Sequence, residues 1–444
     1  MLKRWMIAAT ALGIALAGAS AHADDDYGLD NIFTNGTVNG DLRLYNFNRL
    51  YDSKTTPNAS AFSVAALINA QTGTFLGGFS IGGSFVTANS LGTHSDTLAK
   101  IDTTLAGPTN SIGAFSQAYL QYKNDMFLFR GGYQYLADDP WMGNNDSRII
   151  PSSYNALLVQ VTPLTGWNIF GLREYGWKSR TSFGVYPDNL YYPSKYDGDS
   201  MYGNNGSLPL DSRSAPGTWE GGTTYVKGGL NAQLRYYDFL NFARTVYAVG
   251  SYVLNTDTGF NPVVGAQYLT QNDGSNNRFT ETDTALFGVA GNRVKSQAIG
   301  GDIGVVIPNG RFDIFYNKLA REDGAVGGGA LISPYTMNYG TDPLFTTSMI
   351  RGLVEAGPGR AWKGKFTYDF FDKKLELTTA YAKYITDFRG RSHDLYFDVI
   401  YHLDGYLRGL TLRDRWELSN GGIDNLNPTN NTFVYNRLMI DYKF

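Results

Sequence analysis

Six arginines fall on the polar parity of strand-like segments and could present their charge to an anion: Arg43, Arg49, Arg235, Arg413, Arg415 and Arg437. In an extended chain side chains alternate between two faces. Arg43 and Arg49 therefore share a face, as do Arg413 and Arg415. A guanidinium is permanently charged and presents a planar fork that grips a carboxylate through two hydrogen bonds. A row of them supplies fixed positive potential and repeated weak sites, which is what a selective pore needs in place of a reactive group. Tyr45 and Tyr435, with Tyr119 and Tyr237, carry the same parity and could add hydroxyl donors. The plainer reading is that the arginines are salt-bridged to acids such as Asp41, Asp441 and Glu417 and only hold a wall.

The elements that must position them are strands. At the end of the chain Phe444, Tyr442, Ile440 and Leu438 fall on one face, and Lys443, Asp441, Met439 and Arg437 on the other. The same alternation places Val38, Gly40, Leu42 and Leu44 opposite Asp41, Arg43, Tyr45 and Phe47. It recurs around Phe79–Val86, Gln117–Tyr122, Leu230–Tyr237 and Asp394–Leu403. No segment shows a helical period. Lys123-Asn124-Asp125, Asn309-Gly310 and Asp372-Lys373-Lys374 read as tight turns. Tyr186 to Thr218, Asn255 to Thr284 and Arg321 to Arg360 read as long connections. If the sheet closes on itself, first and last strands pair, and Arg43, Arg49, Arg413, Arg415 and Arg437 become neighbours on one wall. Asp414, with the parity of Leu412, would face out of that wall.

Composition sets the class. Residues 1–23 read as a cleaved export signal, with Lys3 and Arg4, an apolar run and Ala21-His22-Ala23 as the cleavage site. A mature chain from Asp24 then carries 35 basic against 40 acidic residues, which argues against nucleic acid as a partner. There is no cysteine, so no disulfide framework. No mature segment approaches the roughly 18 apolar residues of a membrane helix. A span is then possible only as a closed barrel, because unpaired backbone groups in lipid are too costly. The expected fold is all-β: residues 24–444 as one transmembrane antiparallel β-barrel, with a length compatible with about 18 strands, short periplasmic turns and long extracellular loops. Gram-negative outer membrane is the expected location. His94, His393 and His402 lack metal-ligand spacing, and Gly327-Gly328-Gly329 lacks the ending of a phosphate loop. No metal or cofactor is expected. His402 beside Asp398 is the one candidate base on a strand, with no partner serine.

Several runs are distinctive: Gly40-Asp41-Leu42-Arg43-Leu44-Tyr45, Gly132-Tyr133-Gln134, and Asp139-Pro140-Trp141-Met142 with Asn145 to Pro151. Later come Asp342-Pro343-Leu344-Phe345-Thr346, Gly357 to Lys363, and Gly409 to Arg415. In these runs, taken in this order, the chain resembles the OprD family of outer-membrane porins. The resemblance implies an 18-stranded barrel, monomeric with a trimer as the alternative, whose inward-folded loops narrow an arginine-lined pore. It brings Arg148 into the pore on the third outer loop and folds Asp342–Thr346 toward the same constriction. Tyr133 stands where many relatives carry a basic residue, which would remove one charge from the lumen. The implied function is passive, selective diffusion of small anionic or zwitterionic solutes, carboxylates or amino acids. An oligosaccharide porin is the alternative, with an outer-membrane enzyme or adhesin behind it. The other expected partners are lipopolysaccharide and phospholipid around the wall, and the barrel-assembly machinery acting on Phe444.

Overall fold

The computed structural model describes residues 29–444 except 108, 138, 144–146, 183, 186–215, 275–283, 287–288, 333–342, 355 and 423–430. The expected signal segment, Asn145, Asp146, Asp342 and most of the connection from Tyr186 lie outside the described residues. Eighteen antiparallel strands close into one barrel. They are β1 Thr37–Tyr51, β2 Ala59–Gln71, β3 Phe79–Asn89, β4 Ser111–Lys123, β5 Phe127–Gln134 and β6 Ser153–Leu164. Next come β7 Trp167–Lys178, β8 Thr218–Lys227, β9 Leu230–Phe239, β10 Ala243–Val253, β11 Asn261–Asp273 and β12 Lys295–Ile307. The last six are β13 Gly310–Leu319, β14 Gly359–Phe370, β15 Leu375–Thr386, β16 Gly390–His402, β17 Leu410–Gly421 and β18 Phe433–Lys443. Each strand pairs with its sequence neighbour, and β1 pairs with β18 from Asp41↔Lys443 to Tyr51↔Phe433. A closed sheet leaves no edge groups unpaired. Among the described residues no helix is long and apolar enough to cross a membrane.

Alternation sets the two faces. On β1, Leu42, Leu44 and Leu50 are exposed on the outside, while Asp41, Arg43, Tyr45, Phe47 and Arg49 are buried inside. On β18, Leu438 and Tyr442 face out, and Tyr435, Arg437 and Met439 face in. One end of the barrel carries short turns. Asn309 and the run Phe371-Asp372-Lys373 sit there at positive φ, the conformation that tight hairpins demand. The other end carries the long connections, and among the described residues at least three of them fold inward. Their apolar residues pack on lumenal side chains: Ile149, Ile150 and Leu105 join Tyr45 and Phe47 in one buried cluster. Trp141, Met142, Leu331 and Leu353 join Tyr237 and Phe239 in another. The interior near the long loops is thus partly an apolar core, not a uniformly polar lumen.

Two expectations are corrected. The connection expected from Asn255 to Thr284 contains strand β11, which pairs with β10 and β12. A short turn of residues 254–260 precedes it, and the connection from β11 to β12 includes a small antiparallel pairing of Thr284–Leu286 with Val289–Gly291. Pro262 and Gly265 disguise the strand, and its inward face mixes Val263 and Leu269 with Gln267 and Gln271. The apolar–polar alternation is lost as a result. Tyr133 pairs in register with Ala118, on the outward parity of β4. It therefore takes no charge from the lumen.

Candidate functional site

Register across β16, β17, β18 and β1 builds one inward-facing wall. Asp398, Arg415, Arg437 and Phe47 form a cross-strand row. Two residues toward the short-turn end, the next row is Ile400, Arg413, Met439 and Tyr45, followed by His402, Thr411, Asp441 and Arg43. Toward the long loops the row is Tyr396, Glu417, Tyr435 and Arg49. Closure therefore brings the five strand arginines together.

Their partners divide them. Arg43 is bonded to Asp41 at 2.7 Å, with Asp441 at 3.6 Å. It also donates from Nη1 to the Arg148 carbonyl at 3.0 Å, which pins the inward loop to the wall. Arg49 pairs with Asp102 at 2.8 Å, a residue of the inward loop between β3 and β4. The Tyr435 hydroxyl meets Thr104 of the same loop at 2.7 Å, and the Tyr45 hydroxyl donates to Asp441 at 2.6 Å. These four side chains are committed to holding the structure. Arg235 lies elsewhere, on β9, where Asp139 and Glu220 each accept from it at 2.7 Å. The Tyr237 hydroxyl donates to Asp139 as well, at 3.2 Å. That knot fixes the loop between β5 and β6.

Arg413 is held from one side by Asp398, which accepts from its Nε at 2.8 Å and from Nη2 as well. Its side chain remains 27 % exposed. Arg415 donates to the Tyr396 hydroxyl at 2.9 Å and lies 3.5 Å from Asp398. One carboxylate thus faces two guanidiniums. Arg437 rests on aromatic faces, 4.4 Å from the Tyr435 centroid and 5.0 Å from that of Phe47. Arg148 reaches toward the same Phe47 ring at 6.0 Å and donates to the Ser147 hydroxyl at 3.0 Å. Among the described residues neither Arg437 nor Arg148 has a carboxylate at ion-pair distance, and the Nε of each is buried without an acceptor. Burial, then the like charges of Arg437, Arg180 and Arg415, pull the Arg148 guanidinium below its ordinary pKa. Two like charges 4 Å apart repel by about 4 kcal/mol at an effective dielectric near 20. A cluster with surplus positive charge favours an incoming anion for that reason.

Glu417 does not pair with the arginine wall as the salt-bridge reading expected. It accepts from the Met349 N–H at 2.6 Å and the Ser348 hydroxyl at 3.1 Å, holding the third inward loop. Pro343, Leu344 and Phe345 of that loop are inside: Gln267 donates to the Pro343 carbonyl at 2.7 Å. His402 is bonded to Glu376 at 2.8 Å and Thr411 at 3.2 Å, not to Asp398, which the arginines occupy. Asp414 faces out, satisfied by the Trp416 indole at 2.8 Å and the Asn436 amide at 2.7 Å. Asp102, Asp139, Asp398 and Phe47 shape the arginine sites. Parity in the sequence puts Phe47 and Asp398 on the lumenal face, but no spacing points to Asp102 or Asp139. Among the described residues no group of acids and histidines could hold a metal ion.

No protein-family model matches the chain, and neither does any curated protein. Solved structures do match. The Acinetobacter baumannii protein OccAB2 superposes with a TM-score of 0.75 at 16% identity, covering 93% of this chain and 99% of that one. Pseudomonas aeruginosa OpdK, solved with vanillate, matches with a TM-score of 0.69 at 15% identity, over 92% of this chain and 98% of that one. Pseudomonas aeruginosa OccK2 (OpdF), solved in complex with glucuronate, matches with a TM-score of 0.68 at 12% identity, over 92% and 98%. The class defined by strand number, closure and inward loops is the porin-type β-barrel. Within it, the fold is that of the OprD-type channels.

Proposed function

We propose that this protein is an outer-membrane channel for passive diffusion of small carboxylate-bearing solutes through an arginine-lined constriction. One observation carries the reading. Where inward loops meet the β16–β18–β1 wall, Arg148, Arg415 and Arg437 hold more positive charge than the described carboxylates neutralise. A solute carboxylate entering there relieves repulsion and can take two guanidinium hydrogen bonds. Arg413, the most open of the wall arginines, offers the next site two residues along. Sites must be weak and consecutive for the solute to leave. Asp398 tempers Arg413 and Arg415 and keeps the step shallow. Vanillate and glucuronate, with which two of the structurally similar proteins were solved, both carry a carboxylate.

The apolar outer face suits lipopolysaccharide and phospholipid, and the short-turn end is the periplasmic one by the usual asymmetry of such barrels. Export through a signal cleaved after Ala23, recognition of Phe444 by the assembly machinery, and a monomeric state belong to the same proposal. The test is R413Q/R415Q in planar bilayers under a salt gradient. The expected result is a reversal potential shifted toward cations with the barrel still folded. An unchanged reversal potential would overturn the arginine role.

A further inference from the structure

A second positive site lies away from the arginine wall, on strands β2 to β5 at the short-turn mouth. There Ser80, Gln121 and Arg130 stand side by side in cross-strand register. Gln121 Oε1 accepts from Arg130 Nε at 2.9 Å, and its amide turns to Ser80 Oγ at 3.5 Å. Gln71 donates to the same hydroxyl at 3.3 Å and accepts from the Tyr119 hydroxyl at 3.5 Å. The Tyr119 ring backs the Arg130 guanidinium at 4.6 Å. Each neutral group is oriented by its neighbours, so the guanidinium is held in one plane.

What the arrangement lacks is a carboxylate. No acid pairs with Arg130 or Lys123 among the described residues. Asp125, in the adjoining turn, borders the same space and forms no ion pair with either. These residues surround a cavity of about 480 Å³, with Arg130, Lys123, Gln121 and Ser80 in its lining. A guanidinium has five donors, and Gln121 takes two of them through one oxygen. The remaining edge has no acceptor among the described side chains. The contrast with Arg235 is direct: that arginine, on a comparable inward position, is saturated by Asp139 and Glu220.

We propose that Arg130, Lys123 and the Gln121–Ser80 pair form a separate oxyanion site at the periplasmic mouth, and that it takes a carboxylate. The inference rests on the channel reading above. The site gives a solute a last positive contact after it leaves the arginine wall, and a first contact for one arriving from the periplasmic side. The assignment needs no movement of the loops, since the cavity is bounded by strands and short turns alone.

The experiment is single-channel recording of the full chain with glucuronate added to one side at a time. Inorganic phosphate is the comparison anion. R130Q and K123Q are the variants, with folding checked by heat-modifiable gel mobility. R130Q is expected to lower the glucuronate association rate from the short-turn side about tenfold, the loss of one charge-assisted hydrogen bond. The rate from the long-loop side stays within about twofold. K123Q moves the same rate in the same direction by less. Equal short-turn-side rates in wild type, R130Q and K123Q, with long-loop-side events intact, overturn this site alone. Silence toward both glucuronate and vanillate from both sides in the wild type overturns the channel reading itself. Phosphate binding without glucuronate binding overturns the carboxylate assignment.

Discussion

Replacing Asp398 with asparagine should strengthen carboxylate binding, not weaken it. Among the described residues Asp398 is the one acid that faces Arg413 and Arg415 together, bonding the first bidentately and lying 3.5 Å from the second. Asparagine keeps the shape and removes the charge. A solute carboxylate held by these arginines would sit roughly 6 Å from the Asp398 oxygens. At an effective dielectric near 20 their repulsion is about 2.8 kcal/mol. Water and salt in the lumen reduce this by about half, leaving about 1.4 kcal/mol, or tenfold in affinity. Single-channel residence time of glucuronate is the assay. D398N should lengthen it about tenfold and shift the reversal potential further toward anions. Its open-channel conductance in simple salt should change far less. Asparagine can still accept from Arg413, and the exposed part of that side chain remains hydrated, so the folded yield should hold. A shorter residence time in D398N would refute the electrostatic account, since a purely structural acid has no reason to oppose binding.

Three further outcomes follow from other contacts. D102A removes the partner of Arg49 and the hydroxyl anchor of Thr104, to which Asp102 Oδ1 is bonded at 2.6 Å. The loop between β3 and β4 should loosen, raising both conductance and current noise. A quiet, unchanged conductance would show that the loop is held by its apolar residues alone. G132A should abolish or sharply lower folded barrel: Gly132 has φ of 122°, and a Cβ there would lie 2.3 Å from the Ala118 carbonyl oxygen. Wild-type yield and heat stability in G132A would refute this. Deleting Phe444 removes two backbone hydrogen bonds with Gly40, at 2.9 and 3.1 Å, and the ring that covers that glycine. Assembly of folded barrel should fall severalfold, as read by protease resistance, and normal yield would count against it.

Much of this barrel is legible in its residues, and the reasons are local. β1 and β18 alternate so regularly that lumen and outer faces can be assigned without a structure, and closure then sets Arg437 beside Phe47. β11 was hidden because Pro262 and Gly265 mimic a loop and its inward face is half apolar. The parity rule placed Arg413 and Arg415 but said nothing of what neutralises them. Asp102 and Asp139 reach their arginines from loops distant in sequence, and such contacts depend on how a loop folds back inside the barrel. Glu417 shows the same limit from the other side. Its inward parity is plain in the sequence, yet its partners are backbone N–H groups of residues 349 and 350. Nothing in the sequence sets Arg130 apart, because a single arginine on a glycine-rich strand carries no pattern. Only the neutral register around it makes it distinctive.

The account stands most directly on one measurement: the reversal potential and current of the purified wild-type protein in a planar bilayer as vanillate, then glucuronate, is added. The predicted result is anion preference with a small conductance that at least one acid interrupts or reduces. A silent protein, or a wide pore indifferent to both acids and without charge preference, would contradict it.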